Sequence, residues 1–70
     1  MWAKWELYWR SLTLEQRNII ADLSGCSIWH LRNIGFDGKR ASPTLAIKIE
    51  LACGYPKEML RPDIFGEYKS

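Results

Sequence analysis

Helix starts and stops punctuate this chain so closely that only short helices fit between them. Thr13-Leu14-Glu15-Gln16 is a capping box: the Thr hydroxyl accepts from the backbone N–H three residues on, and the Gln side chain reaches back to the Thr N–H. Gly25 stops that helix, since glycine takes the left-handed conformation at a helix C-terminus without a Cβ penalty. Ser27 then caps a third helix that Gly35 and Gly38 end. Ser42-Pro43 opens a fourth, with proline at the first helical position where its missing N–H costs nothing, and Gly54 closes it. Tyr55-Pro56 reads as a break, Lys57 to Arg61 as a short final helix, and Arg61-Pro62 as its end. No run alternates with period two between hairpin turns, so the expected class is all-α.

Seventy residues suffice for one small domain, 1–70, with one core. A chain of this size buries only about 60% of its unfolded surface, so close helix packing, a partner chain, or both are expected to supply stability. Most enzymes that need a deep cleft are excluded. No paired carboxylate, Cys-His or Ser-His-Asp set or glycine-rich phosphate loop before a helix points to catalysis, and no cofactor is implied. Cys26 and Cys53 form neither a C-x-x-C pair nor part of a ligand cluster, so no metal is expected and a reducing cytoplasm fits. No stretch approaches the length of a membrane span, and the Trp-rich start, broken by Lys4, Glu6 and Arg10, is unlike a signal peptide.

The net charge of +2 says little, but its distribution says more. Residues 1–27 are balanced and 49–70 are slightly acidic, whereas 28–48 carry Arg32, Lys39, Arg40 and Lys48 against Asp37 alone. Such local concentration of cations is what a phosphate backbone responds to. At the N-terminus, Trp2, Trp5, Tyr8, Trp9 and Leu12 fall on one stripe of a first helix. The stripe is either core or, through Trp2, Trp5 and Trp9, a docking surface for a protein partner.

The segment with the most specific pattern is residues 16–35. Ala21, Gly25, Cys26, Leu31 and Ile34 follow one another at separations of four, one, five and three. Ala21 is small where a second helix crosses, Gly25 permits the turn, and the other three point inward to fix the crossing angle. This is helix-turn-helix spacing; the plain alternative is an ordinary αα-hairpin. In a helix-turn-helix, outward residues of the second helix meet base edges, here Ile28, Trp29, Arg32 and Asn33. Arg32 can fork onto guanine, Asn33 can pair with adenine, and Ile28 can pack on a thymine methyl. Trp29 either packs on sugar and methyl groups or lies along the neighbouring helix. Arg17, Ser27, His30, Lys39 and Arg40 are candidates for phosphate contact. A second apolar stripe, Ile47 and Leu51, forms with Tyr55, Ile64 and Phe65 a candidate dimer surface, unless Ile64 and Phe65 fold back over Ile47 and Leu51 within one chain.

The run LTLEQRNIIADLSGCSIWHLRNIGFDGKRASPTLAIKIELACG, followed by LRPDIF, resembles the Cro and YdaS antitoxin-like helix-turn-helix proteins of phages and prophages. The likeness covers residues 12–65 and rests on the L-T-x-E-x-R start, the S-P-x-L-A-x-x-I-E fourth helix and the terminal L-R-P-D-I-F. It implies a five-helix lambda-repressor-like domain that binds a palindromic operator as a homodimer to repress transcription in a bacterial cell. The rival class is a protein-interaction module, an antitoxin or anti-repressor, that keeps the fold and docks a protein through its tryptophans.

Overall fold

The computed structural model describes residues 2–68, and every regular element in that span is helical. In chain order these are α1 (Trp5–Ser11), α2 (Leu14–Ser24), α3 (Ile28–Arg32), α4 (Pro43–Cys53), α5 (Lys57–Leu60) and α6 (Pro62–Phe65), with a 3-10 turn at Phe36–Gly38 between α3 and α4.

Most of the punctuation acts as its chemistry requires. Thr13 Oγ1 accepts from the Gln16 N–H at 3.1 Å, and Gln16 Oε1 accepts from the Thr13 N–H at 2.9 Å. Gly25 ends α2 at φ +73°, a conformation that would strain any side-chain-bearing residue. Ser42 Oγ accepts from the Leu45 N–H, with Pro43 behind it at the first helical position.

Three boundaries differ from expectation. First, α1 starts at Trp5 rather than Trp2, because Lys4 is extended at ψ 152° and offers no side-chain cap. Second, α3 stops at Arg32, ahead of Gly35 and Gly38: the Gly35 N–H bonds to the Lys39 carbonyl at 2.7 Å, which closes a loop and draws the chain off the helix axis. Third, Pro62 begins a helix instead of ending one, so the described residues form six α-helices where five were expected. Its fixed φ suits the first position of α6, and the Ile64 and Phe65 N–H groups return to the Arg61 carbonyl.

The core gathers Ile20 and Ala21 of α2, Leu31 of α3, Ile34, and Leu45, Ala46 and Ile49 of α4, with α2 and α4 packed side by side. Over it lies an aromatic roof. Trp5 and Trp9 are buried and stacked at 5.6 Å between ring centres, and Tyr55 meets Trp2, Trp5 and Tyr8 at 5.4, 5.1 and 4.8 Å. Trp2 joins this cluster from outside the helix. The Trp5 indole N–H donates to the Leu31 carbonyl at 2.7 Å, and the Tyr55 hydroxyl donates to the Ala3 carbonyl at 2.6 Å. These two bonds tie the N-terminal segment to α3 and to the α4–α5 junction.

Tyr55 is therefore wholly buried, which removes it from the candidate dimer surface. Gly54, left-handed at φ +82°, turns the chain inward before it. Burial of Trp5 and Trp9 likewise removes them from any docking surface.

Trp5→Phe removes the indole bond to the buried Leu31 carbonyl, which keeps the Ile34 N–H at 3.3 Å, so the loss of that bond should lower stability by about 0.5–1.5 kcal/mol, read as a lower thermal midpoint by circular dichroism. Burial pushes the Tyr8 and Tyr55 phenols up to about 12, helped by Cys53 at Tyr8 and by Glu6 at Tyr55. The folded state thus keeps protons that the unfolded chain gives up near 10. The denaturant midpoint should accordingly be insensitive to these phenols below about pH 10 and fall as pH rises through about 12, with a weaker fall in Tyr8→Phe.

Candidate nucleic-acid interface

The corner between α2 and α3 is built from small residues and backbone bonds. The Gly25 and Cys26 N–H groups both reach the Ala21 carbonyl, at 2.9 and 3.2 Å. Ala21, Leu31 and Ile34 are buried and Cys26 packs half-buried against the core, as their spacing predicts. Ser24, which the sequence reading passed over, is buried beside them. Its hydroxyl bonds to the Ile20 carbonyl at 2.6 Å and lies 3.4 Å from the Cys26 sulfur. Its signal was its place three residues after Ala21 on the same helix face.

Because Leu31 and Ile34 anchor one side of α3, its other side is presented outward. Ser27 Oγ caps the helix by accepting from the His30 N–H at 3.1 Å, and its own hydroxyl proton stays free to donate. Trp29 is 67% exposed, so it does not lie along a neighbouring helix. The Arg32 guanidinium sits 5.2 Å from the Trp29 ring centre, and this cation–π contact holds an exposed cation and indole together. Asn33 is half-buried at the C-cap. Ile28 is also half-buried and packs on the core, so only part of its side chain faces outward.

Between α3 and the segment before α4 runs an open cleft of about 400 Å³, lined by Ser27, Trp29, His30, Asn33, Lys39 and Arg40 with Ile34 beneath. Six residues chosen as base or phosphate contacts thus share one concavity, and no carboxylate is among its described lining residues. Lys39 and Arg40 also line a second cleft with Lys4, Glu6 and Gly35. The cationic surface therefore continues past α3 to the N-terminal segment, and Lys4 is a residue that sequence reasoning missed. Arg40 is partly engaged, 3.5 Å from Asp63, whose carboxyl the Arg61 guanidinium holds below the ordinary carboxylate range.

Arg17 stands elsewhere. Its Nε donates to the Trp9 carbonyl at 3.2 Å and its Nη2 to the Arg10 carbonyl at 3.3 Å, with the guanidinium 5.5 Å from the Trp9 ring centre. Expected as a phosphate contact, it instead bonds to two carbonyls at the end of α1, of which Trp9's also accepts the Leu12 N–H. Of the candidate dimer residues, Ile47, Leu51 and Ile64 are 42%, 82% and 48% exposed. Ile64 and Phe65 therefore do not cover the α4 stripe. Phe65 packs half-buried against the core beneath the Lys57 ammonium.

Among the described residues no group of three or more His, Cys, Asp or Glu side chains could hold a metal ion. No helix among them is long and apolar enough to cross a membrane. Comparison of the chain with family models, with curated proteins and with solved structures finds no match.

Arg17→Ala should lower stability by about 1–2 kcal/mol, the cost of two hydrogen bonds from a charged donor in a half-buried setting. Arg32→Ala should change it by less than about 0.5 kcal/mol. Paired urea denaturation curves measure both.

Proposed function

We propose that this chain is a sequence-specific DNA-binding regulator, a Cro-like repressor in which α2 and α3 form the helix-turn-helix of a lambda-repressor-like domain. The observation that carries this reading is the outer face of α3: an exposed Arg32 and Trp29 stand beside a cleft whose described lining, Ser27, His30, Asn33, Lys39 and Arg40 among it, includes no carboxylate.

On this reading α3, only five residues long, enters the major groove by its whole outer face, with its C-cap Asn33. Arg32 forks onto guanine and Asn33 addresses adenine, each contributing about 1–3 kcal/mol of discrimination. Trp29 lies against sugar and thymine methyl groups and steers Arg32 through their stacking, while Ile28 adds an apolar edge. Ser27, His30, Lys39 and Arg40 meet phosphates and set the register without reading sequence. The exposed face formed by Ile47, Leu51 and Ile64, edged by Phe65, is where a second copy docks. A two-fold dimer joined there would have to set its two α3 helices about 34 Å apart, one turn of DNA.

Selection from sheared genomic DNA at two salt concentrations, followed by sequencing, should enrich a palindrome. Arg32→Ala should weaken that site by about 5- to 150-fold and random DNA far less; equal losses on both would overturn its base-reading role. Lys39→Ala should weaken all sequences alike and reduce the salt slope by about one unit. Leu51→Glu should convert a dimer to a monomer in sedimentation, and a wild-type chain that stays monomeric at high concentration and on DNA would remove the two-fold arrangement.

A further inference from the structure

A separate cavity of about 150 Å³ lies where α1, α2 and the end of α3 converge, walled by Glu6, Trp9, Arg10, Arg17, Arg32 and Phe36. We propose that it is an anion site that takes a single phosphate group. Three arginines from three different helices line it, and among the described side chains no carboxylate comes within 4.0 Å of their guanidinium nitrogens. Glu6, the described carboxylate in the wall, makes no ion pair with them within 4.0 Å; its carboxyl oxygen lies against Gly35, in the space a Cβ there would need.

The wall is also oversupplied with donors. Arg17 spends Nε and Nη2 on carbonyls of α1, which leaves Nη1 without a partner among the described residues. Arg10 and Arg32 make no side-chain hydrogen bond among them, although Arg32 stacks on Trp29. Trp9 is also a wall residue; its indole N–H, on a side chain only 3% exposed, is buried just behind the surface without a partner among the described residues. A tetrahedral oxyanion supplies acceptors to several donors at once, and guanidinium forks match its geometry. At this volume the cavity is below the roughly 300–1,000 Å³ of small-molecule pockets, so it suits one phosphate group rather than a whole nucleotide. That phosphate can belong to a DNA backbone, with Arg32 bridging cavity and groove, or to a small phosphorylated molecule.

The test follows the four tryptophan indole N–H resonances of the 15N-labelled full chain, with Trp9 assigned. Sodium phosphate should shift the Trp9 resonance saturably, while sodium chloride at equal ionic strength should not. Arg10→Gln should abolish that response with an unchanged thermal midpoint, since the exposed Arg10 side chain bonds to nothing described. If chloride acts equally, if phosphate leaves Trp9 unmoved, or if Arg10→Gln still responds, the site is overturned. A DNA duplex that moves the same resonance, with about one unit of salt slope lost in Arg10→Gln, assigns the phosphate to DNA. Response to free phosphate alone upholds the site for a small phosphorylated ligand. Should the wild-type chain bind no DNA, the reading of α3 fails while the phosphate titration still decides the cavity.

Discussion

The Trp5 indole is the joint on which the rest of this structure turns. A helix as short as α3, five residues, cannot hold itself together or choose its own direction, because isolated helices below about 12–15 residues are marginal in water. Its orientation comes from Leu31 and Ile34, buried beneath the aromatic roof, and from the Leu31 carbonyl, which receives the Trp5 N–H inside the core. Trp5 in turn is held edge-on by Tyr55, whose hydroxyl pins the chain just before α1. One cluster of rings therefore links the first residues described, the junction of α4 and α5, and the helix whose outer face is the proposed reading surface.

That arrangement sorts charge as well as shape. Around α4 to α6 cations and carboxylates are matched: Lys57 bridges Glu50 and Glu58, and Glu50 also accepts the Lys57 N–H, which anchors the start of α5. Arg61 grips Asp63 with two donors and the Ala41 carbonyl with a third. Around α3 no such matching occurs among the described side chains, apart from the long Arg40 contact with Asp63. A net charge of +2 thus conceals a paired side and an unpaired side. The unpaired side is the one proposed to meet DNA: Lys4, Arg10, Arg32 and Lys39 line the clefts beside one short exposed helix, with Glu6 as the described carboxylate among them.

Much of the architecture was legible residue by residue. The capping box at Thr13, the serine caps at Ser27 and Ser42 and the glycine stops at Gly25 and Gly54 each depend on chemistry within four residues, so they survive whatever the rest of the chain does. The inward set of Ala21, Cys26, Leu31 and Ile34 was equally readable, since its spacing follows from one helix crossing another. Pro62 misled because a proline after a helix and a proline opening the next look alike until the following carbonyl and N–H groups are paired. Trp2 misled because apolar spacing continues a helix on paper that Lys4 does not cap.

Local grammar, then, set the helix caps, the helical class and the α2–α3 corner, because hydrogen bonds between near neighbours need no distant partner. Assembly alone chose which side of the aromatic stripe would be buried, drew Tyr55 into the core, bound Arg17 to the carbonyls of α1 and brought Arg10, Arg17 and Arg32 around one cavity. Those outcomes depend on residues that lie far apart in the chain. Burial and electrostatic environment are sums over every element that packs at a point, and no window of sequence contains all the members of such a sum.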